Sequence, residues 1–247
     1  MDPKQFKFLL WAPMMMGVAL IVGLGLLGWQ IKDSRLNDTL TVTGSSKKTV
    51  LSDLGKWQGT ITKNADLTNL EATIKAVASN AQALQQFVGL LGLDPKSVSI
   101  DPVQTDPVYE QLPNYAQSTN MIGYTVRRQV SIESTDIEKI DQLSQRVNEL
   151  ISKGIIFANQ STEYSVTKLP ELRAELFSLA TQDAKYRAEA IARGTGVTVG
   201  ALRTARTGVI QVLRPHSTDV SDYGSYDLST KQKEISATVS ASFALGQ

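Results

Sequence analysis

The chain has 247 residues, 42% of them hydrophobic, with 25 Lys and Arg against 24 Asp and Glu for a formal net charge of +1. Such a balance gives no net field to gather nucleic acid or an acidic membrane surface. The absence of cysteine excludes disulfides, thiolate nucleophiles and thiolate metal sites together.

The first feature in chain order is Phe8 to Trp29, FLLWAPMMMGVALIVGLGLLGW, a run without a charged residue. As a helix it would reach about 33 Å, enough for a hydrocarbon core of about 30 Å. It exceeds the apolar core of a cleaved signal peptide, and it leads into Trp29-Gln30-Ile31-Lys32 with no A-x-A pattern, so an uncleaved signal anchor is expected over residues 8–29. Trp11 and Trp29 suit the two interfaces, and Pro13 falls in the first turns. Lys4 and Lys7 before the span match Lys32 and Arg35 after it, so the count of basic residues does not orient it. Ala19 and Gly23 form a small-xxx-small pair, a candidate contact between spans.

Residues 30–38 form a short polar link, which places the folded part close to the membrane. Leu40 to Gly44 alternates as a strand, and Leu54 to Ile61 is a second extended candidate before Lys63-Asn64-Ala65-Asp66 breaks the pattern. With Asp66 as N-cap, Leu67, Leu70, Ile74, Val77, Ala81, Leu84, Val88 and Leu91 mark one helix face, stopped at Gly92. The flanks of that face lack the alternating charges of a coiled coil, so the helix is expected on a sheet. Ser97 to Ile100 begins a strand that Pro102 and Pro107 assign to an edge or bulge, Tyr109 to Asn120 has the composition of a long hairpin loop, and Tyr124 to Ile132 is a stronger strand.

A second helix is predicted from Asp136 to about Ser152, ended by Gly154, followed by an extended Ser161 to Val166. From Pro170 to Arg193 a third helix carries Leu172, Leu176, Leu179, Ala180, Ala184, Ala188 and Ile191. Its alanines read as small residues that let a helix lie close on a sheet. Val197 to Val212 contains a strand, Arg214 to Lys233 is a polar loop, and Ile235, Ala237, Val239, Ala241, Phe243 and Leu245 alternate as the final strand. The order of elements is α+β.

Taken singly, the chemical motifs are weak. Gly194-Thr195-Gly196 with Gly200 follows a helix and enters a strand, the reverse of the order that aims helix amides at a pyrophosphate. Asp219, Asp222 and Asp227 share a loop with Tyr223 and Tyr226 but match no standard calcium spacing. His216, the only histidine, excludes a multi-histidine zinc site and reads as a surface-loop residue. No Gly-x-Ser-x-Gly elbow occurs. Arg127-Arg128 reads as edge or salt-bridge chemistry, with no broader basic and aromatic surface for nucleic acid. No catalytic, cofactor-binding or metal-ligating residue is assigned, and no enzyme is expected.

The colinear order of several runs is more specific. Gly123-Tyr124-Thr125-Val126, Lys153-Gly154-Ile155-Ile156-Phe157, Tyr164 and Thr167-Lys168-Leu169 come first. Ala180-x-x-Asp183-Ala184-x-x-Arg187-Ala188-x-x-Ile191-Ala192 with Gly196 and Gly200, Gly208 to Val212, and Ser221-Asp222-Tyr223-Gly224 follow. Together they resemble the SIMPL (DUF541) family in its membrane-anchored bacterial form, over roughly Leu40 to Leu245. The resemblance implies an α+β domain over 39–247 with helices packed on antiparallel sheet, preceded by one N-terminal transmembrane helix. It implies a cytoplasmic tail at residues 1–7, an extracytoplasmic domain at the bacterial inner membrane, and ring-like or channel-like homo-oligomers linked to envelope and oxidative stress. It brings no established catalytic residue.

The leading expectation is a single-pass subunit, held in the lipid bilayer, whose outer domains assemble into a homo-oligomeric ring or cage, with an envelope protein as a further partner. Tyrosine buries ring area while its hydroxyl tolerates water, which selects Tyr109, Tyr115, Tyr223 and Tyr226 as candidate oligomer contacts. The alternative is a periplasmic binding or adaptor module for a peptide, glycan or stressed protein.

Overall fold

A computed structural model describes residues 17, 21–24, 39–113, 117–219 and 221–246. Of the expected span 8–29, Gly17 and Ile21 to Leu24 are among them and are helical. The rest of the span lies outside the described residues, as do Ala19 and Tyr115. No helix among the described residues is long and apolar enough to cross a membrane.

The fold mixes helices with antiparallel sheet. In order the elements are β1 (Thr39–Leu51), β2 (Leu54–Ala65), α1 (Leu70–Leu90), β3 (Val98–Ile100), β4 (Gln104–Gln111), β5 (Gln117–Ser134) and α2 (Ile137–Arg146). A 3-10 stretch (Val147–Lys153), β6 (Phe157–Ser165), α3 (Leu169–Thr195), β7 (Thr198–Thr207), β8 (Gln211–Leu213) and β9 (Gln232–Gly246) follow. The chain divides into two compact units. Of the described residues, one holds those up to Ser46 with Phe177–Gly208 and 237–246, and the other those of Lys47–Leu176 and Val209–Ser236.

The larger unit is built on a five-stranded sheet, β3-β5-β2-β6 with β4 also pairing β5. Pleating sends Trp57, Ile61, Val126, Val130 and Ile132 to one face, where they bury against Val77, Leu84 and Val88 of α1 and Ile140 and Leu143 of α2. Trp57 meets Phe157 edge-on, ring centroids 5.6 Å apart at 82°. Gly59 makes room for that indole, since a Cβ there would lie 2.7 Å from the Trp57 ring.

Three details differ from the sequence reading. The break expected at Lys63 to Asp66 is absent, because β2 pairs with β5 through Ala65. Asp66 accepts from the Thr68 and Asn69 amides in a turn and α1 begins only at Leu70, which leaves Leu67 exposed. Where a long loop is expected from Tyr109 to Asn120, residues 109–111 and 117–120 are strand, with Tyr109 opposite Met121 and Gln111 opposite Gln117. At the helix ends, Gly92 and Gly154 take φ of +75°, the left-handed stop that glycine adopts at least expense.

In the smaller unit α3 lies on the sheet of β1, β9 and β7. Ala180, Ala184 and Ala188 pack with Val42 of β1 and Val239, Ala241 and Phe243 of β9. The approach is close. A Cβ on Gly44 would fall 2.1 Å from the Ala180 carbonyl oxygen and 2.4 Å from the Ala184 nitrogen. Asp183 fixes the register by accepting from the Ser45 amide at 2.8 Å while pairing with Arg187. Leu179 and Ile191, expected inward from their spacing, are exposed.

Candidate functional site

Of the four candidate tyrosines, Tyr115 lies outside the described residues and the other three stand on β4 and in the connection from β8 to β9. Tyr109 is half-buried on β4. Tyr223 is 97% exposed, at the tip of the connection from β8 to β9. Tyr226 lies in the same connection, but its hydroxyl accepts the Val166 amide at 2.9 Å and so anchors the loop to the end of β6.

That polar connection is tightly tied. Lys233, fully buried, donates to the Asp227 carbonyl oxygen. The Asp227 carboxylate accepts from the Ser229 amide, the Ser229 hydroxyl and the Thr230 hydroxyl at 2.7–2.8 Å. The Gln211 amide group donates to the Ser221 carbonyl oxygen, and the Tyr164 amide to that of Leu228. Burial pulls the Lys233 ammonium below the ordinary lysine range, with Asp227 opposing. Lys231 moves the other way, raised by its hydrogen bond to Asp141 and by Glu138. Tyr164 is raised by burial and by Asp141, which accepts its hydroxyl. These groups hold the loop in place from several sides, and no cluster of three or more metal-ligating side chains occurs among the described residues. Asp219 accepts from the Ser217 hydroxyl and Asp227 from Ser229 and Thr230.

β7 is an exposed sheet edge. The order β1-β9-β7 puts it at the edge of its sheet. Nine of its ten residues are exposed and Val199 is half-buried. Leu202 lies opposite Phe243 and Ala205 opposite Ala241, the core-facing positions of β9, yet Leu202 is 46% exposed and Ala205 is exposed as well. An edge of this kind presents a row of N–H and C=O groups to another strand, and here the inner face beyond Val199 is left uncovered by the described residues. Strand number and exposure were hidden in the sequence, but Arg203 and Arg206 within a strand of small residues are the kind of charge that edges carry.

Gly23, the described half of the candidate span contact, is helical and half-exposed, and no atom of the described residues lies within 4 Å of where its Cβ would stand. Residues 40–243 match the family model described as SIMPL, a protein of unknown function (DUF541). The comparison with curated proteins gives no match.

Proposed function

The chain belongs to the SIMPL family, and from that premise we propose that it is a non-enzymatic, membrane-anchored envelope protein whose folded domain self-assembles into a homo-oligomeric ring or cage. In this reading residues 8–29 are the anchor, residues 1–7 stay in the cytoplasm and the domain from residue 39 is extracytoplasmic, with a role in envelope or oxidative stress. One observation supports it above the others: β7 is a ten-residue edge strand on which only Val199 packs into the core and the other nine residues are left uncovered by the described residues. A strand of that length offers about 33 Å of pairing edge. Self-pairing is favoured over capture of a foreign strand because tethering copies to one membrane raises their effective concentration toward each other.

The absence of cysteine gives a direct test, since any introduced thiol is unique. Thr204→Cys places one on the outer face of β7, opposite Ser242. In membranes a short bismaleimide is expected to join Thr204→Cys chains into dimers, while Lys75→Cys on the exposed side of α1 stays monomeric under the same treatment. Equal yields from both positions, or none from β7, would remove β7 from the interface.

A further inference from the structure

The face of the five-stranded sheet turned away from α1 and α2 carries the Lys56–Glu133 pair at one end and, around Thr60 and Thr62, mainly neutral polar side chains. Pairing sets Thr60 opposite Gln129 and Thr62 opposite Arg127 across β2 and β5. Gln104 of β4 stands opposite Arg127, and Ala158 of β6 opposite Thr60. With Thr125 and Asn159 these residues line a hollow open to solvent, of about 310 Å³, at the lower end of the range for small-molecule sites of about 300–1,000 Å³.

An antiparallel sheet commonly leaves one face to water, but two features here exceed that requirement. Thr62 Oγ1 is shielded from solvent with no hydrogen-bond partner among the described residues, which leaves it with its desolvation penalty unrelieved. Asn159 holds φ of +52° beside the register break between Gln58 and Thr60. Asparagine tolerates the left-handed region better than most residues, yet glycine would occupy it at less expense.

The lining chemistry selects the ligand. Arg127 carries the formal charge of the lining, and Asp106 neutralises it with Nη2 and Nε at 2.6 and 2.9 Å from the same oxygen. No carboxylate is among the described lining residues, so a cation has no ligand set, and an anion meets a guanidinium already paired. Hydroxyls and primary amides remain, each able to donate and accept. An apolar molecule would strand them without partners, whereas a ligand dense in uncharged hydroxyls matches them group for group.

We propose that this cavity is a binding site for a neutral oligosaccharide, held by Thr60, Thr62, Gln104, Gln129 and Asn159, with the Thr62 hydroxyl turning about χ1 to meet a sugar hydroxyl. This site uses no residue of β7 and does not depend on self-assembly.

The test uses the full-length protein in a detergent without a sugar head group. Cellotetraose, maltotetraose and chitotetraose serve as neutral probes and tetragalacturonate as the acidic one, read by saturation-transfer NMR and titration calorimetry. At least one neutral probe is expected to bind with Kd at or below about 1 mM. Thr62→Val and Asn159→Gly are each expected to weaken it tenfold or more while leaving the melting temperature unchanged or raised, because each removes a group the unliganded fold holds at a loss. A loss of binding accompanied by a lower melting temperature in both variants would overturn the assignment. So would binding that both variants retain, preference for the acidic probe, or no binding of any neutral probe.

Discussion

Gly44 is the position where the smaller unit tolerates least change. In Gly44→Ala the new Cβ would stand 2.1 Å from the Ala180 oxygen and 2.4 Å from the Ala184 nitrogen. Ordinary contact begins near 3.4 Å, so β1 and α3 must separate by about 1.3 Å against close packing on the far side. Overpacking of this order costs about 1–3 kcal/mol, and because the atoms struck belong to the helix backbone the upper end applies. For a chain of this size that corresponds to a fall in melting temperature of about 6–12 °C. Thermal unfolding followed by circular dichroism measures it. Gly194→Ala is the matched control, since its Cβ meets nothing within 4 Å on the same helix and the better helix former adds up to about 1 kcal/mol. Truncation of α3 side chains is not expected to rescue Gly44→Ala. A Gly44→Ala protein within about 2 °C of the parent would refute the argument that close approach of the helix, rather than turn geometry, demands glycine there.

Two other outcomes follow from the larger unit. Tyr226→Phe strands the Val166 amide, whose residue is buried, and should cost about 1–3 kcal/mol in urea melts, whereas Tyr223→Phe on the exposed tip should stay within about 0.5 kcal/mol of the parent. In acid, burial pushes the Asp53 carboxyl upward but the Thr167 amide and hydroxyl outweigh it and hold the group below its ordinary value. Burial likewise raises Asp227, and Ser229 and Thr230 overcome it. Both carboxyls have folded values depressed below the unfolded ones, so their stabilisation is present above about pH 4 and is lost as pH falls through the folded values. Melting temperature should be level from about pH 7 to 5 and then decline, with Asp53→Asn giving a shallower acid limb. A parallel acid decline in Asp53→Asn would show that Asp53 is not one of the groups responsible.

Much of the fold is legible where one face of an element is buried. The alternation from Ile235 to Leu245 appears as β9, and the alanines of α3 seat it closely on β1 and β9. Legibility fails where neither face is buried. In the arms of the β4–β5 hairpin around Tyr109 and Met121 none of the residues 104–111 and 118–122 is buried, so pairing continues there without any periodic signal. β7 and β8 read as one segment from Val197 to Val212 because exposed Thr204 to Val209 carry no alternation to mark where β7 ends. Leu179 and Ile191 fit the helical period yet stay exposed. The same blindness hides the candidate sites. Thr60, Thr62, Thr125 and Gln129 are simply the outward residues of two strands until pairing assembles them, and Asn159 gives no sign of its left-handed backbone. The tyrosines of the β8–β9 connection stood out in the sequence, but Tyr226 has its hydroxyl engaged within its own unit.

The most direct measurement of self-assembly is the mass of detergent-solubilised full-length particles by light scattering, with Leu202→Lys and Ala205→Lys compared with the parent. Edge lysines oppose strand addition while leaving an exposed strand intact. The parent is expected to form a discrete homo-oligomer and both variants to fall to monomers with unchanged circular dichroism. A monomeric parent, or variants that keep the parent's mass, would contradict assembly through β7.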